Sequence, residues 1–175
     1  PPLFRKADGS TCKTQKESSK IFQDHWQKNV FGYKASIDMD TINKTQKRPT
    51  NNGLAEPPTV EEIEKAIKRM RSGKSPGPDG ITADELRTMM EIDAGRTIIE
   101  KIIADFWETG IVEPGWLRAN LKTLPKGGDL ADCNRWRPIS LLQTTAKLIA
   151  SIINERLVPH LKEHGLETQC GFRRG

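Results

Sequence analysis

The eight residues Gly73-Lys74-Ser75-Pro76-Gly77-Pro78-Asp79-Gly80 constrain this chain more than any other stretch. Two prolines and three glycines in so short a span break both the helical and the sheet ladder, so the segment must be an irregular loop. The signals on either side are helical. Thr59 and Glu62 have the spacing of a capping box, and Val60, Ile63, Ile67 and Met70 recur at helical intervals. Glu61/Lys65 and Glu64/Lys68 are i,i+4 pairs in the favourable order, each worth about 0.2–0.5 kcal/mol. Gly73 is expected to end this helix. Thr82 and Glu85 repeat the capping-box spacing and open a second helix through Met90.

Elsewhere the pattern is also mostly helical. Ile98, Ile99, Ile102, Ile103, Phe106 and Trp107 give residues 96–109 a broad apolar face that Gly110 closes. After a turn at Pro114-Gly115, residues 117–125 and 135–142 read as two strands around Gly127-Gly128-Asp129, with Pro138 at an edge or irregular position. A long helix begins near Thr145, carries Leu148, Ile149, Ile152, Ile153 and Leu157 on one side, and is expected to kink or end at Pro159. Before the loop, residues 1–13 read as a loop or hairpin about Asp8-Gly9. Residues 16–31 read as an amphipathic helix, and residues 34–58 as a linker. The fold class is α+β, mostly helical, with a small antiparallel β-hairpin.

Composition excludes several classes. The 175 residues carry 28 Lys and Arg against 23 Asp and Glu, a net charge of +5. It is unevenly spread: +4 over residues 1–58, −3 over 59–110 and +4 over 111–175. A basic C-terminal third suits a polyanion partner, although a solvated basic face has the same composition. No apolar run approaches the roughly 18–20 residues that span a bilayer. The start, Pro1-Pro2-Leu3-Phe4-Arg5, has neither a signal-peptide layout nor an initiator Met, and reads as a piece of something longer. Cys12, Cys133 and Cys170 lie far apart, which argues against a disulfide framework or zinc ribbon and for reduced thiols in an intracellular protein, nuclear or cytoplasmic. Gly73-Lys74-Ser75 is not a P-loop, because Lys68 stands where the first glycine is required. His160 and His164 share a helix face but no closed four-ligand set accompanies them.

The most unusual run is Leu124-Pro125-Lys126-Gly127-Gly128-Asp129 followed by Arg135-Trp136-Arg137-Pro138-Ile139-Ser140-Leu141-Leu142. A strand, a glycine-opened turn and a strand with basic residues near the tip can lay Lys126 and Arg137 against phosphates, Lys as a point charge and Arg as a planar fork. An ordinary basic hairpin has the same residues. Trp116 and Trp136 read as core or hairpin anchors rather than base-stacking platforms.

Four segments, in order, resemble the N-terminal part of the reverse transcriptases of LINE-type (non-LTR) retrotransposons. They are Thr59–Ile63 through Gly73–Ile81; Trp116 through Asp129; Asn134–Leu142 with the helix around Lys147 and Arg156-Leu157; and Gln169-Cys170-Gly171-Phe172-Arg173-Arg174-Gly175. The resemblance covers about residues 54–175, a partial reverse transcriptase domain, and residues 1–53 form a linker or N-terminal extension. It implies the fingers and the start of the palm of a right-hand polymerase. It also implies a parent that synthesises DNA on an RNA template from a DNA primer, using dNTPs and Mg²⁺. Lys126 and Arg137 would touch the dNTP triphosphate. Pro76, Gly77, Asp79 and Gly80, with Gln169, Gly171, Phe172, Arg173 and Arg174, would lie against the template, the two arginines reaching phosphates.

One departure limits the expected activity. The family's metal-binding aspartates belong to later motifs, an Asp in an apolar strand and then an Asp-Asp pair. This sequence has no Asp-Asp, and after Gly110 its only aspartates are Asp129 and Asp132. The expectation is a chain that binds no Mg²⁺ itself, carries no catalytic residue, touches no membrane, and lacks the palm and thumb of its parent. Such a piece would expose apolar surface of the 145–158 helix. A non-catalytic nucleic-acid-binding module derived from such an element is the alternative. A purely helical scaffold explains only the amphipathic stripes.

Overall fold

Both threonine caps on the flanks of the proline-glycine loop form. The Thr59 hydroxyl accepts the Glu62 N–H at 3.3 Å while the Glu62 carboxylate takes the Thr59 N–H at 2.9 Å, and Thr82 with Glu85 does the same at 3.2 and 2.7 Å. This computed structural model describes residues 2–32, 36–44 and 51–164. Its helices are α1 (Gln15–Asp24), α2 (Met39–Lys44), α3 (Val60–Arg69), α4 (Ala83–Met90), α5 (Asp93–Thr109) and α6 (Thr144–His164). Strands β1 (Ala119–Pro125) and β2 (Trp136–Leu142) pair as a two-stranded antiparallel sheet. The chain divides into two compact units, one of Pro1–Pro49 with Leu121–Ile139, the other of Thr50–Asn120 with Ser140–Gly175.

The second unit is built on aliphatic stripes. Ile63, Ala66 and Ile67 of α3, Leu86 and Met90 of α4, Ile99 and Ile103 of α5, and Leu148, Ile149 and Ile152 of α6 form one buried cluster. Burial of each large side chain is worth about 1.5–3 kcal/mol. Trp116 packs on Phe106 at 5.6 Å between ring centroids, as an anchor. Gly110, at φ 65°, closes α5 by donating to the Phe106 carbonyl at 2.8 Å.

Beyond shifts of one to three residues at the starts of α5, β1 and β2, the structure departs from the sequence expectation in three places. The helix begun at Thr59 stops at Arg69, short of Gly73, because Met70 is already extended and its carbonyl is taken by the Arg87 guanidinium. Pro159 does not end α6, which continues to His164; a proline removes one backbone donor, here at an exposed position, and the rest of the ladder persists. The aperiodic stretch 34–58 holds α2, whose first turn is capped by the Asp38 carboxylate on the Asp40 N–H at 3.0 Å. It also holds a tight turn at Asn52–Leu54, where Asn51 accepts from Gly53 at 3.2 Å.

In the first unit, a hairpin turns at Asp8-Gly9 as expected. Arg5 bridges Thr11, and Asp8 accepts the Ser10 N–H at 2.9 Å and its hydroxyl at 2.6 Å. Helix α1 starts at a Thr14 cap and runs on as π-helical turns over His25–Val30. The packing is aromatic. Phe4 stacks on Phe22 at 4.4 Å, Trp26 meets Phe22 edge-on at 5.7 Å, and Trp136 meets Phe4 and Phe22 edge-on at 6.0 and 5.7 Å. Trp136 also donates to the Leu130 carbonyl at 3.1 Å, the hairpin-anchor role its sequence position indicates.

Candidate functional site

The β1–β2 hairpin takes its register from its tip. The Lys126 N–H donates to the Arg135 carbonyl at 2.7 Å, placing these residues opposite each other. Counting back, Leu124 then faces Arg137, and Pro138 takes an outward, non-bonded position of the ladder where its missing N–H costs nothing. Leu121, Thr123 and Trp136 line a cleft of about 470 Å³ with Phe4 and Phe22, which fixes one face of the hairpin as the aromatic side. The pleat therefore turns Lys122, Lys126, Arg135 and Arg137 to the opposite face. All four are exposed, and among the described residues none of them is ion-paired. Lys126 Nζ donates to the Asn134 carbonyl at 3.1 Å, which holds the ammonium over the tip.

The acids of the connecting loop are engaged elsewhere. Asp129 is bridged by Arg5 at 2.6 Å and accepts the Ala131 N–H at 3.0 Å. Asp132 caps the turn at Cys133–Arg135, accepting the Asn134 N–H at 2.9 Å. That N–H is the main reason its carboxyl sits below the ordinary carboxylate value, with the Asn134 side chain and the Arg135 charge adding to it. Burial pushes the Cys133 thiol up, away from the reactive thiolate. The hairpin thus presents four positive charges, near the tip and along one face, with two hydrophobic side chains, Leu124 and Ile139, on the same face. This is a surface suited to oxyanions. Of these cations, Lys122 and Arg135 were missed from the sequence; their two- and four-residue offsets from Arg137 and Lys126 are the signal that groups them.

Pro76, Gly77, Asp79 and Gly80 lie in the second unit, the last three in one tight turn closed by the Gly80 N–H on the Gly77 carbonyl at 3.2 Å, with Pro76 just before it. Gly77 is buried against the backbone of Leu142 and Gln143, where a Cβ would come within 2.5 Å, so only glycine lets the chains approach this closely. Asp79 accepts the Ile81 N–H at 3.3 Å with one oxygen, while the other is buried without a hydrogen-bond partner among the described residues. The Thr144 hydroxyl donates to the Ile81 carbonyl at 2.5 Å, tying the loop exit to the start of α6. Helix α4 fixes the loop entry. Asp84 accepts the Gly73 N–H at 2.9 Å, and Arg87 reaches the Ser72 hydroxyl at 2.8 Å and the Met70 carbonyl. The Gly73 N–H is the first cause of the lowered Asp84 carboxyl.

Lys126 and Arg137 are thus brought together in the first unit, and Pro76, Gly77, Asp79 and Gly80 in the second. Gln169, Gly171, Phe172, Arg173 and Arg174 lie outside the described residues. Among the described residues no three His, Cys, Asp or Glu side chains gather as a metal site. No described helix is long and apolar enough to cross a membrane.

A further residue that the sequence did not single out for a role is Arg156. Its guanidinium holds both oxygens of Glu62 at 2.8 and 2.7 Å, and the carbonyls of Leu54 and Pro57 at 3.3 Å and of Glu56. It also lies 5.2 Å over the Trp107 ring. Arg156 therefore pins residues 54–57 to α3 and α5.

No protein-family model matches the chain. It is 34% identical over 110 residues to the transposon TX1 uncharacterized 149 kDa protein of Xenopus laevis, a match covering 63% of this chain and 8% of that protein. It is 22% identical over 159 residues to the RNA-directed DNA polymerase from mobile element jockey of Drosophila funebris, covering 89% of this chain and 17% of the relative. It is 30% identical over 115 residues to the retrovirus-related Pol polyprotein from type-1 retrotransposable element R2 of Popillia japonica, covering 65% and 15%. The chain is a distant, partial homologue of non-LTR retrotransposon proteins, reverse transcriptases among them, and spans less than a fifth of the length of these three relatives.

Proposed function

We propose that this chain is a fragment of a non-LTR retrotransposon RNA-directed DNA polymerase, its fingers and the entry to its palm, which grips template and incoming nucleotide. The observation that carries the reading is the hairpin face with Lys122, Lys126, Arg135 and Arg137 exposed and without ion-pair partners among the described residues. An arrangement of two ammonium and two guanidinium groups matches phosphate oxygens in charge and geometry. The distant homology to the jockey polymerase supports the polymerase class.

In this reading Lys126 and Arg137 contact the triphosphate of a dNTP and offset the negative charge that develops during phosphoryl transfer. The turn containing Pro76, Gly77, Asp79 and Gly80 shapes a surface for the template RNA, and Gln169, Gly171, Phe172, Arg173 and Arg174 continue it. Residues 1–53 are the extension and 54–175 the polymerase part. Magnesium supplies charge neutralisation to polymerases of this family; no residue of this chain is assigned to it or to catalysis.

The test is fluorescence anisotropy of a labelled single-stranded RNA, and of a labelled dNTP, titrated with the full chain at several salt concentrations. Weak binding that falls steeply with salt is expected, reduced about tenfold in a Lys126→Ala/Arg137→Ala variant, because each lost phosphate contact removes a share of the counterion release. Both positions are exposed, so the variant keeps its fold. Absence of binding at low salt, or binding that the double variant leaves unchanged, refutes the reading.

A further inference from the structure

The aromatic cleft of about 470 Å³ lies wholly in the first unit, on the face of the hairpin opposite to its cations. Phe4, Phe22, Trp26, Phe31 and Trp136 line it. None of the described side chains on its wall is charged, in a chain where 29% of residues are. Its volume falls within the roughly 300–1,000 Å³ of ligand pockets. Its apolar surface is open to solvent at the rim, where Phe31 is 58% exposed, while Trp26 behind it is buried.

The polar groups of the wall are unspent. Trp26 Nε1 is shielded from water and has no hydrogen-bond partner among the described residues, a rare state for a buried donor. Trp26 and Gln27 sit on the π-helical turns His25–Val30, a conformation that recurs at functional sites. The Gln23 and Gln27 amides and the Ser19 and Thr123 hydroxyls also have no side-chain hydrogen bond among the described residues. Ser18 alone is engaged, and by a proline-bearing stretch of backbone. Its hydroxyl donates to the Pro2 carbonyl at 3.3 Å and accepts the Phe4 N–H at 2.9 Å.

We propose that this cleft docks a proline-rich segment of another protein, bound as a polyproline II helix. Such a helix makes no internal hydrogen bonds, so its carbonyls are free acceptors for the unspent donors of the wall. Its pyrrolidine rings are apolar and uncharged, and an aromatic-lined groove takes them at little entropic cost because the helix is preformed. An α-helical partner would leave the donors unpaired, since its own carbonyls are bonded internally. A charged partner would find no counter-charge on the wall. The bound segment reaches the Trp26 donor by displacing the rim ring of Phe31, whose centroid is 6.4 Å from that of Trp26. The proposal goes beyond the polymerase reading and does not depend on the basic face.

The experiment titrates a labelled decaproline peptide with the full chain by fluorescence anisotropy, beside a labelled Gly-Ser peptide of the same length. Saturable binding of decaproline alone is expected, and it should stay constant from about 50 to 500 mM salt because no charges are paired. Phe31→Ala should weaken it about tenfold, the usual scale for an aromatic anchor, and Phe31→Tyr, which keeps the ring, should restore it. Phe31 is exposed, so neither variant opens the buried part of the aromatic packing. Single-stranded RNA binding by the same proteins should be equal in all of them, which separates failure here from failure of the hairpin reading. Absence of saturable decaproline binding, or equal binding of the Gly-Ser peptide, overturns the proposal. So does a Phe31→Ala variant that binds as the parent does. Displacement of bound decaproline by single-stranded RNA overturns it as well, because it gives the rings to stacked bases.

Discussion

The two compact units are held by opposite kinds of contact. In the second, ten aliphatic, methionine and alanine side chains from four helices form the core, and the starts of α3 and α4 and the end of α5 are each marked within four residues of themselves. In the first, aromatic rings from the N-terminus and from β2 close on each other, and an arginine reaches an aspartate 124 positions away. The comparison separates two sources of structure. Helix caps and stripes are local, whereas the surface on which the hairpin's basic face depends is assembled from residues that share no local pattern.

The largest effect that could break this comparison comes from Phe4, which is 2% exposed and stacked on Phe22. Phe4→Ala should cost about 3–5 kcal/mol, the usual range for a buried phenylalanine. If the units are separately stabilised, native-state hydrogen exchange will show loss of protection in α1 and in β1–β2, with Ile63, Ile67 and Ile103 still protected. Equal loss in both units would show one cooperative structure and end the distinction.

That division also governs what was legible in the sequence. Thr59/Glu62 and Thr82/Glu85 announce their helices because a cap needs only the three following residues. Gly110 and the Asp8-Gly9 turn are legible for the same reason. The pairing of Phe4 with Trp136 is not, since nothing at either position specifies the partner. The candidate site divides likewise. Lys126 and Arg137 stand out by their place near a glycine turn, but Lys122 and Arg135 join them only once the register is fixed by the Lys126–Arg135 bond. Arg156 was hidden because its hydrogen-bond partners are 94 or more positions away.

Arg156 is the exception that tests the rule, a long-range contact inside the locally legible unit. Its side chain is 14% exposed, and removing it takes a donor from the carbonyls of Leu54 and Pro57 and leaves the Glu62 carboxylate with the Thr59 N–H alone. Arg156→Ala should therefore cost about 3 kcal/mol in urea denaturation followed by tryptophan fluorescence. Arg156→Lys should not restore it, because an ammonium cannot reproduce the planar fork. The pair also has a pH signature. Hydrogen bonding from Arg156 holds the Glu62 carboxyl below its ordinary value. A carboxyl depressed by folding contributes stability that is present above its unfolded pKa and is lost as pH falls through the folded one. Stability of the parent chain should then drop more steeply below about pH 4.5 than that of Glu62→Gln, in which this contribution is absent. Parallel curves would mean that the Glu62–Arg156 contact is worth no more than an exposed pair.

The smallest effects sharpen the comparison from the other side, because caps should cost the same wherever they sit. Thr59→Ala and Thr82→Ala in the second unit, and Thr14→Ala in the first, each remove a hydroxyl that accepts a first-turn N–H, at 3.3, 3.2 and 3.2 Å. Each should cost about 1 kcal/mol. The two caps of the second unit belong to different helices, so their losses should add in the double variant. Equal costs in the two units would confirm that helix starts are a local property of sequence here, with the units differing only in their tertiary packing. A Thr14→Ala variant with no measurable loss would show instead that α1 is held by its aromatic contacts alone, and that even its start is set by residues distant in the chain.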